Sequence, residues 1–135
     1  NAAGEDMSAD YVQRAVKWLK SRQREDGGWG EDCASYWPHR RDLVKESTPS
    51  QTSWALLGLM AAGEVDCEEV EKGIAYLLDA PREGGDWFEE MFNAVGFPRI
   101  FYLRYHGYSW YFPLWTQARY RNLKQGDESR PKFGL

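Results

Sequence analysis

Four stretches of this chain carry apolar residues at helical spacing, and polar connections containing glycine and proline separate them. Over residues 6–21, Tyr11, Val12, Ala15, Val16, Trp18 and Leu19 fall on one helix face. Ser8 or Asp6 is placed to cap its start. Residues 22–30 read as a polar loop. Residues 31–46 hold Pro38, mixed charges and little periodicity, so irregular structure is expected there. Ser47-Thr48-Pro49-Ser50-Gln51 forms a helix entrance, with a hydroxyl to cap free N–H groups and proline tolerated in the first turn. Residues 54–62 are apolar nearly all round, which predicts a buried helix ended by Gly63. Asp66 is expected to cap a helix over residues 67–78, with Val70, Ile74, Tyr76, Leu77 and Leu78 on its apolar side. Pro81 would stop it, and Gly84-Gly85 would turn the chain. Residues 93–108, rich in aromatics and punctuated by Gly96, Pro98 and Gly107, predict a loop leading into a short helix. A final helix is expected over residues 110–123 with Pro113 near its start, then a polar, frayed tail. The pattern is all-α. The connections before Thr48 and around Asn93 are long for a simple bundle, and long loops in compact domains often carry function.

The chain contains an internal repeat. Arg14-Ala15-Val16-Lys17-Trp18-Leu19 is followed by Gln23, Gly27 and Trp29. Lys72-Gly73-Ile74-Ala75-Tyr76-Leu77 is followed by Pro81, Gly85 and Trp87, each residue 58 positions after its counterpart. A fixed period of this size predicts stacked helical hairpins. A glutamine amide can bond free backbone groups at a helix end while a tryptophan ring packs against it.

Composition narrows the chemistry. The formal net charge is -4 and no Lys/Arg run occurs, so nucleic acid is not an expected partner. No apolar stretch is long enough to span a bilayer, and no charged-then-apolar leader opens the chain. Cys33 and Cys67 are too few and too far apart for a disulfide framework or a zinc site, and read as buried or idle thiols in a reducing compartment. His39 and His106 are isolated, so no metal site is expected. Aromatics make up 16% of the chain, enough for core filling, a stacking platform or a cation-stabilising wall.

The repeat resembles the QW motif of triterpene cyclases. Its first copy is full apart from Ala15, where that family usually has Gly, and its second has Pro81 in place of Gln. Further segments resemble squalene-hopene cyclases: Trp29-Gly30-Glu31-Asp32-Cys33, Ser47 through Thr52, Gly96-Phe97-Pro98-Arg99, and Phe101 through Tyr108. The similarity runs over residues 11–123, and the stretch from Phe97 to Tyr120 favours the bacterial squalene enzymes over the oxidosqualene ones. It implies part of an (α/α) barrel built of helical hairpins, tied by Gln23, Gly27, Trp29, Gly85 and Trp87. Residues 1–10 would be a flexible lead or in part a cloning scar, and residues 124–135 a polar tail.

The resemblance also implies a chemistry. A strong acid protonates a terminal alkene of squalene, and aromatic faces then stabilise a series of carbocations without trapping them. By resemblance, Phe97 and Phe101 would face the later cations and Leu103 would shape the cavity. Tyr105 and Tyr108 would sit nearer the acid. The family's acid is an Asp-x-Asp-Asp motif, which this sequence lacks. Its acidic neighbours (Glu5-Asp6, Glu25-Asp26, Glu31-Asp32, Glu68-Glu69 and Glu89-Glu90) read mostly as solvated charge. Asp26, inside the motif, reads as structural. No cofactor is expected. The family implies squalene as the partner in the full-length enzyme, at the cytoplasmic side of a bacterial inner membrane. The stretch itself is expected to be soluble, inactive alone and prone to self-association. Two rivals are a stand-alone module binding isoprenoid lipids and a prenyltransferase subunit; the latter would need zinc ligands that this sequence does not supply.

Overall fold

The computed structural model describes residues 1, 3–41, 43–80, 82–93 and 95–126. Pro81 and the expected tail beyond Gly126 lie outside the described residues. Four α-helices dominate: α1 (Asp10–Lys20), α2 (Pro49–Ala61), α3 (Glu68–Asp79) and α4 (Tyr108–Gln125). Helix α2 is central, with α3, α4 and, more lightly, α1 packed on it. The core gathers Val16 of α1, Trp29, Leu56, Leu57, Leu59 and Met60 of α2, and Val70, Ile74 and Leu77 of α3. No helix among the described residues is long and apolar enough to cross a membrane.

Helix α1 starts later than the apolar pattern suggests. Asp6 Oδ1 accepts from both the backbone N–H and the hydroxyl of Ser8, at 2.8 and 2.7 Å. Those two residues are spent on a turn, and Ala9 becomes the N-cap without a side-chain bond. Helix α2 starts at Pro49, within the expected entrance, because Thr48 is extended and proline suits the first helical position. It is buried along its length except for exposed Gly58 and half-buried Trp54 and Ala61. It is closed off just past its C-cap Ala62 by Gly63, whose φ of +90° suits glycine, with Gly63 N bonding Met60 O and Glu64 N bonding Leu59 O. Cys67, not Asp66, is the N-cap of α3; Asp66 instead pairs with Lys124 at 2.7 Å.

The described residues between Glu31 and Glu46 form irregular chain with two short 3₁₀ turns, Cys33–Tyr36 and Pro38–Arg40. Two hairpins complete the fold. Strands β1 (Arg82–Glu83) and β2 (Asp86–Trp87) pair antiparallel about Gly84 and Gly85, both at positive φ as a tight hairpin turn requires. Strands β3 (Val95–Phe97) and β4 (Phe101–Tyr102) pair antiparallel with a bulge. This second hairpin replaces the expected loop and short helix, and α4 begins directly at Tyr108. Its turn is held from outside: Arg99, at φ +66°, donates its backbone N–H to the Tyr102 hydroxyl at 2.8 Å and its Nε to Tyr36 O at 2.9 Å. Aromatic residues favour strands, and distant anchors of this kind carry no local sequence signal.

Candidate functional site

The two copies of the repeat are built alike. Helices α1 and α3 begin at equivalent positions, Asp10 and Glu68. In each copy the tryptophan that closes the motif turns its indole N–H onto the last turn of its own helix. Trp29 Nε1 donates to Leu19 O and Trp87 Nε1 to Leu77 O, both at 2.8 Å. Trp87 thereby gives Leu77 O a partner where the helix ladder stops, while Leu19 O also accepts from Arg22 N at 3.1 Å. Gln23 reaches further: its Nε2 lies 2.8 Å from Gly27 O and from Glu69 O, so it ties the first loop to the first turn of α3. Gly27 has φ +84°, and a Cβ there would stand 2.7 Å from Lys72 O, so only glycine fits. Trp29 packs against Gly73, where a Cβ would meet Leu56 Cδ2 at 2.6 Å and Trp29 Cζ3 at 3.1 Å. The small residue of one copy is therefore the seat for the tryptophan of the other. In the second copy the Arg82 guanidinium covers the Trp87 ring at 4.0 Å.

The loop of the first copy is stitched onto the entrance of α2. Trp29 N donates to Thr52 Oγ1 at 2.9 Å and Thr48 N to Trp29 O at 2.9 Å. Gln51 and Glu31 exchange two bonds, Glu31 N to Gln51 Oε1 at 2.8 Å and Gln51 Nε2 to Glu31 O at 2.7 Å. Asp26 Oδ1 accepts from Gly28 N and from the Ser47 hydroxyl, at 2.9 and 2.8 Å. These bonds satisfy Gln51 and Thr52, and Ser53 Oγ donates to Pro49 O at 2.7 Å, so polar side chains can be buried at the heart of the domain.

The cap of α2 is not one of its own hydroxyls. Thr48 makes no side-chain cap bond. Glu89 takes that place: its Oε2 accepts from Ser50 N and its Oε1 from Ser50 Oγ, each at 3.0 Å. Glu89 is thus a buried carboxyl, which corrects its assignment to solvated charge; its neighbour Glu90 is exposed. Burial pushes its pKa above the usual carboxylate range, against the opposing pull of the Ser50 bonds and the Arg104 charge. Arg104 donates to Glu89 O and lies over the Phe92 ring at 5.7 Å. Through Glu89 and Arg104 the segment carrying Leu103 and Tyr105 is tied to the start of α2.

The five candidate wall residues form two aromatic pairs with Leu103 between them in sequence. Phe97 and Phe101 meet at 5.5 Å with planes at 61° on the β3–β4 hairpin. Tyr105 and Tyr108 stack at 4.9 Å and 16° at the entrance of α4. Phe97, Phe101, Leu103 and Tyr105 are 60%, 44%, 44% and 49% exposed, while Tyr108 is half-buried. Four of the five are therefore exposed. A groove of about 330 Å³ runs beside Tyr105, and Trp87, Glu89, Arg104 and Trp110 also line it. Sequence patterning misses two rings behind Tyr108, those of Trp54 and Phe112.

Paired helices locked by a Gln–Trp device, with an aromatic segment laid on one face, define an α/α-hairpin domain of the triterpene cyclase type. A family model, the squalene-hopene cyclase C-terminal domain, matches residues 1–122, and the chain belongs to that family. The chain is 54% identical over 125 residues to the squalene–hopene cyclase of Zymomonas mobilis, covering 92% of this chain and 19% of that protein. It is 56% identical over 128 residues to a probable squalene–hopene cyclase of Sinorhizobium fredii, with the same two coverages. Human lanosterol synthase is 38% identical over 112 residues, 83% of this chain and 15% of that protein. The chain thus spans about a fifth of the length of these two squalene–hopene cyclases.

Proposed function

We propose that this chain is the C-terminal part of a squalene-hopene cyclase, in which it supplies one wall of the reaction cavity. The whole enzyme protonates squalene and carries it through carbocations to hopene, or to hopanol when water captures the last cation. The acid comes from elsewhere in the enzyme, since this sequence holds no Asp-x-Asp-Asp motif. Phe97 and Phe101 face the later cations, Leu103 shapes the cavity, and Tyr105 and Tyr108 lie nearer the first ring. Ring faces stabilise these cations through their quadrupole and offer no strong base to end the cascade early.

The exposure of Phe97, Phe101, Leu103 and Tyr105 carries this reading. Exposed apolar side chains in such number over one short segment are surface awaiting a partner. The enzyme acts at the cytoplasmic side of the inner membrane, from which squalene enters. The test supplies squalene to the purified 135-residue chain and, separately, to the complete product of its gene. Hopene is expected from the second only. Hopene from the chain alone would overturn the assignment of the acid. Squalene binding by the complete product without turnover would favour a lipid-binding module instead.

A further inference from the structure

Behind the Tyr105–Tyr108 stack stands a ring that the apolar pattern marks only as core filling. Trp54 sits on α2, the most buried element, and is itself half-buried. Its ring meets Tyr108 at 5.5 Å and 81°, and Phe112 at 5.5 Å and 85°. Tyr108 and Phe112 meet each other at 5.2 Å and 83°. Three rings, each nearly perpendicular to the other two, form a corner. Edge-to-face contact sets a positive ring edge against a negative face, and a second such contact from Phe112 leaves Tyr108 little freedom to turn.

Tyr108 passes that constraint outward. It stacks at 4.9 Å and 16° on Tyr105, which is exposed. The plane of the exposed ring is therefore set from α2, through Trp54 and then Tyr108. A cation is stabilised by the face of a ring and not by its edge, so the orientation of the plane decides whether the wall works.

We propose that Trp54 is a positioning residue: it fixes the ring planes of Tyr108 and Tyr105, and so governs how far a polyene cyclises before the cation is lost. The proposal rests on the cyclase reading above, and its test separates the two. In the complete gene product, Trp54→Leu, Trp54→Phe and Tyr105→Ala are compared with the parent by the product spectrum from squalene, with kcat and KM. Trp54→Leu keeps an apolar side chain but removes the ring edge. It raises the fraction of incompletely cyclised products by about threefold or more, with KM changed by less than about twofold. Trp54→Phe restores an edge and brings the spectrum back to within about twofold of the parent. An unchanged spectrum in Trp54→Leu, with a shifted one in Tyr105→Ala, overturns the proposal and leaves the cyclase reading standing. Equal shifts in Trp54→Leu and Trp54→Phe also overturn it, since the edge would then be irrelevant. If Tyr105→Ala leaves the spectrum unchanged as well, the wall assignment fails and the proposal falls with it. Should Trp54→Leu not fold, Phe112→Leu removes the second brace on Tyr108 and is judged by the same outcomes.

Discussion

At the scale of the residue, Glu89 shows how a fold sets opposing forces on one proton. Burial favours its neutral form, while two bonds from Ser50 and the nearby Arg104 favour the charged one; burial prevails and the pKa rises from 4.5. A carboxyl whose folded pKa lies above its unfolded value holds its proton more tightly when folded. Its contribution to stability is fully present below about pH 4.5 and is lost as pH rises through the folded value. Between those two pH values the thermal midpoint of the parent should fall relative to that of Glu89→Gln, and midpoints taken in small pH steps measure this. A constant difference between the two proteins would contradict the assignment. The sequence does not reveal this carboxyl, because its partner Ser50 is 39 residues away and nothing local distinguishes Glu89 from exposed Glu90. Trp54 is the opposite case: its burial follows from the apolar run around it, while its contact with Tyr108 depends on how α4 docks.

At the scale of the element, the repeat has two equivalent positions that favour different residues, glycine at 73 and alanine at 15. Alanine at position 73 would gain helix propensity, but its Cβ would press on Leu56, which is fully buried and has no room to yield. Gly73→Ala should therefore destabilise the chain by about 1–2 kcal/mol net, as overpacked sites do. Ala15, its counterpart on α1, is exposed, so Ala15→Gly should cost only the helix propensity, about 0.5–1 kcal/mol. Denaturant unfolding of the two variants tests the contrast. The closing tryptophans differ in degree: both lose one carbonyl bond on substitution by Phe, about 0.5–1.5 kcal/mol. Trp29, only 5% exposed and seated in the core, should cost more than half-buried Trp87. Helices α1 and α3 and the Gly84-Gly85 turn are legible in the sequence because periodicity and glycine chemistry are local. The β3–β4 hairpin is not, because Tyr36 anchors its turn from 63 residues away.

At the scale of the whole molecule, the wall residues are not the only exposed apolar side chains. Tyr111 and Leu114 on α4 and Ile100 on the hairpin are largely exposed, and Trp110 is about half exposed. Surfaces of this kind bury themselves against a partner. The isolated chain should therefore form dimers or larger species at concentrations of roughly tens of micromolar, read by light scattering, and salt should not disperse them. A monodisperse monomer in that range would contradict this expectation. The measurement that bears most directly on the cavity wall is the product spectrum of the complete gene product with Phe101→Ala. Phe101 is paired with Phe97 on the open hairpin and lies away from the helical core. Squalene should still be consumed, with hopene giving way to products in which the last rings are unformed. Hopene in the parent's proportions would contradict the claim that this segment lines the cavity.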